Sequence, residues 1–351
     1  MPSDLTLEQL TVTARPLRLD LKTPFRIAHG SSDYRLNVLI RIGDGIGEAA
    51  LPPYYGLTAS QVVESVDGMT IPCPVLSGVP VLKDALGDLP ALPAQTRAAL
   101  DMALHDHWAR ALDAPLYRLL GLNPSGAPPT ARTIGICKDE AELDREIEST
   151  RGFSLLKLKL GSGNLDADLH TVRSVLARSQ SRICIDVNGG WTPAEAAVAI
   201  ESLPADRTAF IEEPVGRGNN HDSWRELVSR LGPRHPPLVA DESIQTTEDI
   251  LALHGIADGI NVKLAKAGGI GPALEHLTLA RILGMRTLLG CMIESSVAVT
   301  AAAHIAPLAD FLDLDATLNL SPDPFDGVRI DGEHIRLPDR PGIGVTRRSS
   351  P

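Results

Sequence analysis

The alternation of apolar and polar positions changes character near residue 125. Before it, Thr11 to Leu21 and Leu36 to Ile42 read as strands, and Gly43, Asp44 and Gly45 mark a turn after the second. Pro93 then precedes a helical pattern with Leu100, Leu104, Trp108 and Leu112 on one stripe, which predicts an amphipathic helix. The polar, proline-containing stretch Asn123 to Arg132 reads as a linker. Beyond it come strand-like runs at Thr133–Cys137, Leu155–Leu160, Ile183–Val187, Ala209–Glu212, Leu238–Asp241, Gly259–Lys263, Thr287–Cys291 and Phe311–Asp315. Helical segments such as Ala194–Leu203 and Pro272–Leu283 lie between most of them. Strands alternating with helices over such a length predict an α/β protein built on a barrel rather than an open sheet. After Leu320 the pattern stops, and the rest reads as a tail returning to the first part. The expected organisation is an α+β capping domain over residues 1–125, a barrel over 126–320 and a C-terminal segment over 321–351 that rejoins the cap.

Composition narrows the setting. At 351 residues with 43% hydrophobic content, the chain can bury a large core. Its net charge of −11 lacks the basic footprint of a nucleic-acid binder. The start, MPSDLTLEQL, has neither a basic head nor an apolar core, so no signal peptide is expected. The most apolar stretch, Val297 to Ala309, is broken by Thr300, His304 and Pro307 and is too short to span a bilayer. Cys73, Cys137, Cys184 and Cys291 are scattered, as reduced core thiols would be, which favours a cytoplasmic protein. No membrane partner is expected, and a homo-oligomer is left open.

The strand ends change the picture most, because they carry charge where apolar runs should be buried. Residues two apart share a face of a strand, which pairs Lys157 with Lys159, Asp186 with Asn188, Asn261 with Lys263, and Asp313 with Asp315. Active sites of barrels gather at the C-terminal strand ends, where each of these pairs lies. Asp186, one of Glu212 and Glu213, and Asp241 offer three carboxylates from successive strands, a donor set suited to Mg²⁺. Two buried lysines side by side are expected to depress each other's pKa, and a lysine near neutrality can act as a general base. Lys263, on a strand across the barrel, supplies a second acid–base group on the opposite side of a substrate. Opposed lysines around a metal suit removal of a proton next to a carboxylate, with an enediolate stabilised and the proton returned to the far face. That is a racemase or epimerase design. Asp313 and Asp315 suit a cationic group such as an α-ammonium. Lys266 before Gly268 and Gly269 reads as part of a tight turn into the next helix, and Glu294 as either an inward carboxylate or a helix cap. Arg26, His29, Tyr54 and Tyr55 sit in early loops that could cover the site, although solvent exposure is the simpler reading for each.

The order K-x-K, D-x-N, IEEP, ADES and N-x-K-x-x-K-x-GG resembles the enolase superfamily, and specifically its muconate-lactonizing subgroup. LDMALHDHWAR is similar to the helix leading into that family's barrel, and LKTPFRIAHGS and GEAALPPYYGLT to its two capping loops. Within the subgroup, Thr133 to Ile136, GCMIESS and the pair Asp313 and Asp315 are similar to dipeptide epimerases. The resemblance implies a (β/α)7β TIM-like barrel with an α+β cap built from the N-terminal part and the C-terminal tail. It also implies Lys159 and Lys263 as acid–base groups, Lys157 as the modulating neighbour of Lys159, and Asp186, Glu212 and Asp241 as Mg²⁺ ligands. The substrate would be a small dipeptide, with its ammonium on Asp313 and Asp315. Thr133, Met292, Glu294, Arg26 and His29 would complete the substrate-binding set. N-acylamino acid racemases, o-succinylbenzoate synthases and muconate cycloisomerases share the scaffold but act on substrates without a free ammonium, and a non-catalytic binding protein is a further alternative. Two departures stand out. The segment D-A-N-x-G-W appears here as DVNGGW, which keeps Asp186 and Asn188. Epimerases for Ala-Glu are expected to carry an arginine late in the first capping loop, where this chain has His29 and Gly30, with Arg26 earlier. That departure speaks against a glutamate-containing substrate and leaves a small or apolar dipeptide at least as expected.

Overall fold

Two sheets follow from the two rhythms. The computed structural model describes residues 5–27, 30–87 and 89–349. Strands β1 (Leu5–Ile27), β2 (Gly30–Ile42), β3 (Gly45–Ala49), β4 (Thr70–Leu76) and β5 (Val79–Pro80) form an antiparallel sheet in the order β3-β2-β1-β4-β5. The β1–β2 hairpin is longer than the alternation predicts. Its far end is polar and out of phase, with the register shifting between Asp20 and Phe25, yet backbone pairing continues through Phe25–Ser32, Arg26–Ser31 and Ile27–Gly30. Ile136 N donates to Arg26 O at 3.1 Å, which ties this tip to the barrel.

The barrel comprises β6 (Arg132–Ile134), β7 (Leu155–Lys159), β8 (Arg182–Asp186), β9 (Thr208–Glu212), β10 (Leu238–Ala240), β11 (Gly259–Lys263), β12 (Arg286–Gly290) and β13 (Phe311–Asp313), all parallel and paired in chain order. A parallel bridge between Thr130 and Leu312, with Ala131 N donating to Leu312 O at 2.8 Å, joins the last strand to the first. Helices Glu140–Ser149, Leu165–Arg178, Pro193–Ser202, Asp222–Arg230, Thr247–Leu253, Ile270–Ile282 and Ser296–Ala303 occupy the successive connections.

Both faces of each barrel strand are buried, which explains the near-continuous apolar runs. Outward side chains such as Leu156, Leu158, Ile183, Ile185, Ile211, Ile260, Val262 and Leu289 pack in the main core with the helices. Inward ones divide by height. Ala131, Leu155, Cys184, Phe210, Val239 and Leu288 form an apolar plug at the N-terminal end, with Phe311 against it. One inward position further along, two residues on in each strand, the side chains become Thr133, Lys157, Asp186, Glu212, Asp241 and Asp313.

The helix Ala94–Ala111 is not amphipathic in the expected sense. Ala99, Leu100, Ala103 and Leu104 face the cap core, while Ala98, Met102 and Ala109 face the barrel core. Asp101, His105 and Asp106 are buried too, and Leu112 at the end of the predicted stripe is exposed. The helix is wedged between two domains' worth of core, so its polar side is covered as well. Asp101 accepts a hydrogen bond from Ile270 N at 2.5 Å, and Asp106 from Ile46 N at 3.0 Å and Ile343 N at 2.7 Å. Among the described residues, no helix is long and apolar enough to cross a membrane.

Candidate active site

The cap and the C-terminal ends of the barrel strands enclose one cavity, lined by Lys159, Asn188, Lys263, Met292, Thr133, Asp313 and Asp315 from the barrel and by Phe25, Arg26, Ile27, Arg35, Pro52 and Tyr54 from the cap. Strand β7 and strand β11 are four positions apart in a ring of eight, so Lys159 and Lys263 enter from opposite sides. Gly290, beside Lys263 in register, leaves room for it: a Cβ there would meet Asn261 Oδ1 at 2.7 Å and Lys263 Cε at 3.2 Å.

Between the two lysines, Asp186, Glu212 and Asp241 each bring a carboxylate oxygen within 4.8 Å of the others, all of them buried. Glu213 is not part of this group. Its backbone turns to a positive φ of 36°, and its carboxylate accepts from Asp241 N at 2.8 Å and Ser243 Oγ at 2.5 Å. Asn261 Nδ2 donates to Glu212 Oε1 at 2.7 Å, while Glu212 Oε2 accepts no well-directed hydrogen bond although Lys157 Nζ lies 2.7 Å away. Three converging hard oxygens, one of them without a satisfying donor, fit an oxygen-seeking divalent cation such as Mg²⁺.

Cations surround this cluster. Lys159 Nζ donates to Asp186 Oδ2 at 2.5 Å and Lys263 Nζ to Asp241 Oδ2 at 2.7 Å. Lys157, fully buried, lies 2.9 Å from Asp186, 2.7 Å from Glu212 and 2.7 Å from Asp313. The sequence places Lys266 in a turn. The glycines after it do turn at positive φ, but the short helix Leu264–Ala267 curls Lys266 back to bond the Asp241 carboxylate. The one-turn spacing of Lys263 and Lys266 was the signal for this.

For Lys157, the expected depression by a neighbouring lysine is not what its surroundings produce. Burial opposes charge on Lys157, but Asp186, Asp313 and Glu212 outweigh it and hold its pKa well above the ordinary range. Burial likewise opposes charge on Lys263, and Asp241 reverses the balance upward. Burial also penalises the Asp186 and Asp241 carboxylates, yet the facing lysines hold both below the ordinary range. Glu212 goes up, from burial and then from the Asp186 charge. Paired charges at this depth are tolerable because each has a partner.

At the β13–β6 side, Asp313 accepts from Lys157 Nζ at 2.7 Å and Thr133 Oγ1 at 3.3 Å. Asp315 accepts from Thr133 N at 2.8 Å and Arg132 Nη1 at 3.0 Å. Arg132 carried no sequence signal, since it ends the linker-like stretch. Glu142 and half-buried Glu146 also line this side, with Arg26 held on Glu142 at 2.8 Å. Tyr54 is exposed, as the simpler reading has it, and also lines the cavity with its Oη 3.6 Å from Met292 Sδ, whereas Tyr55 is half-buried and packs with Ala50, Ala265 and Met292. Glu294 is buried but is not among the cavity-lining residues, and burial, with Glu48 adding, pushes its carboxyl up to about 8. Glu48 bonds Asn37 Nδ2 at 2.7 Å and Ser295 Oγ at 2.5 Å, which anchors the loop carrying Met292 to the cap. His29 lies outside the described residues.

A closed barrel with lysines on opposite strands around a carboxylate cluster, roofed by an antiparallel cap, defines the class of the enolases. Residues 9–121 match the mandelate racemase / muconate lactonizing enzyme N-terminal domain and residues 140–350 the enolase C-terminal domain-like family. The chain belongs to the enolase superfamily, with the mandelate racemase and muconate lactonizing enzymes. It is 36% identical over 348 residues, 97% of this chain and 88% of the relative, to the L-Ala-D/L-Glu epimerase of Bacteroides thetaiotaomicron. It is 38% identical over 253 residues, 70% of this chain and 72% of the relative, to the hydrophobic dipeptide epimerase of Roseobacter litoralis. Among solved structures, the dipeptide epimerase from Enterococcus faecalis complexed with Mg and the dipeptide L-Leu-L-Tyr is similar at a TM-score of 0.84 and 26% identity, covering 97% of this chain and all of that one (100%).

Proposed function

We propose that this protein is a Mg²⁺-dependent dipeptide epimerase that inverts the α-carbon of the C-terminal residue. The observation that carries the reading is the placement of Lys159 and Lys263, which line one cavity from opposite sides of the carboxylate cluster. Asp186, Glu212 and Asp241 would hold the Mg²⁺. A divalent ion held there would supply positive charge to stabilise a developing carboxylate-derived anion and would offset the carboxylates' field on the lysines. One lysine amine takes the α-proton at its Nζ, and the opposite ammonium returns a proton to the other face, so the configuration inverts. Lys157, locked among Asp186, Glu212 and Asp313, contributes fixed positive charge rather than a mobile proton. Asp313 and Asp315 receive the substrate's ammonium. On that side four carboxylates, Asp313, Asp315, Glu142 and Glu146, face three cations, Lys157, Arg132 and Arg26, which favours a substrate with a free ammonium over the superfamily's substrates without one. The four cysteines are free, which accords with a reducing compartment, and we place the protein in the cytoplasm.

The test is a proton NMR screen of dipeptides in D₂O. With Mg²⁺ present, the α-proton signal of the C-terminal residue should disappear as deuterium is incorporated. A metal chelator should stop the exchange, and exchange that persists after chelation would remove the metal from the reading.

A further inference from the structure

The opposite end of the barrel carries charges that the acid–base site does not use. At the N-terminal mouth a second cavity is lined by Arg182, Arg234 and Arg286, together with Thr208, Pro237 and Phe311. None of the three guanidinium groups has an ion pair or hydrogen bond among the described residues, and no carboxylate lines the cavity. We propose that this mouth binds a diphosphate group, either free or as the terminus of an organic diphosphate.

Strand alternation puts the arginines there. Residues two apart share a face of a strand, so Arg182 lies on the side of Cys184 and Arg286 on the side of Leu288, the inward side that builds the apolar plug. One layer below that plug, where branched apolar side chains ordinarily fill a barrel, the first residues of β8 and β12 are thus arginines. These strands are four positions apart in the ring of eight, so the two arginines face one another across the mouth, and Arg234 enters between them on the approach to β10. Gly259 of β11, paired with Arg286, leaves room for it, since a Cβ there would meet Arg286 Cβ at 3.0 Å.

Acids at this end are engaged elsewhere. Asp258 accepts from Leu238 N at 2.8 Å and Asp310 from Thr287 N at 2.8 Å, so each caps the start of a strand and neither lines the cavity. Three like charges therefore gather over an apolar floor, where Phe311 packs on Phe210 with ring centroids 4.9 Å apart. On a chain of net charge −11 this is a local positive field, and low-dielectric walls concentrate it. A single carboxylate would answer one guanidinium and leave two. A diphosphate brings several charges, with oxygens that guanidinium forks grip in pairs, so one group meets all three arginines.

The full-length protein is titrated calorimetrically with inorganic pyrophosphate and with ADP, at equal free Mg²⁺ in cell and syringe. We expect saturable binding with a Kd below about 1 mM. Arg182→Gln and Arg286→Gln should each weaken it by about 10-fold or more, the range of hydrogen bonds to a charged group, with the urea midpoint unchanged. Arg234→Gln, on the loop before β10, should weaken binding in the same way without altering a strand. Tighter binding of ADP assigns the diphosphate to an organic carrier seated on the aromatic floor, and equal or tighter binding of pyrophosphate assigns it to the free ion. Absence of saturable binding for both probes overturns the inference. So does binding that survives in the Arg182→Gln/Arg286→Gln double variant, which would place the diphosphate on the metal at the other end of the barrel.

Discussion

Lys159 and Lys263 differ from the other lysines of the site in one respect. Lys157 is shared by three carboxylates, and Lys266 bonds both the side chain and the backbone carbonyl of Asp241, whereas Lys159 and Lys263 each hold one carboxylate and also line the cavity. The proposed mechanism therefore assigns the proton exchange to these two. Lys159→Ala and Lys263→Ala should each abolish epimerisation, with α-proton exchange falling by at least about 100-fold. Exchange in D₂O checks this, and turnover surviving in either variant would defeat the two-base arrangement. At this scale the sequence was informative wherever a charge interrupted an apolar strand. It was silent on Arg35, because an arginine in an alternating strand looks the same whether it faces water or a cavity. It also misled on Lys157, whose pKa is raised rather than depressed, since spacing shows which lysines are neighbours but not which carboxylates face them.

Elements fit together here by close approach as much as by apolar area. Strand β3 lies against the helix Ala94–Ala111 so closely that a Cβ on Gly47 would sit 2.0 Å from the Ala99 carbonyl oxygen. That oxygen is backbone and cannot swing aside. Gly47→Ala should destabilise the fold by about 1–3 kcal/mol, the usual cost of overpacking, read as a lower urea midpoint. The same contact explains why the helix misled the pattern. A stripe of leucines predicts one buried side, but this helix has a sheet on one side and a barrel on the other, so alanines and acids are buried as well. The barrel strands were legible because each is a short, near-continuous apolar run that ends in charged or polar residues at its C-terminal end. The tip of the β1–β2 hairpin was not, because only backbone pairing extends it.

At the scale of the whole molecule, the C-terminal tail, the cap helix region and a barrel helix meet at His304. Its Nδ1 accepts from Tyr117 N at 3.0 Å, and its Nε2 lies 3.1 Å from the Ile343 carbonyl, the tautomer assigned from these partners. Burial drives its pKa down to about 4. The unfolded chain binds this proton near pH 6.5, so the folded state is favoured above that value and loses the advantage as pH falls toward about 4. Between pH 7 and 4.5 this should remove about 2–3 kcal/mol of stability. His304→Gln should show a correspondingly shallower loss in urea unfolding over the same range, and equal slopes would exclude His304 as the cause. By itself the sequence determined the barrel and the ring of charged strand ends, because strand period and strand-end charge are local properties of the chain. Only the tertiary structure decided which of these charges neutralise one another. Pairing depends on distances between residues far apart in the chain, and no local pattern encodes those.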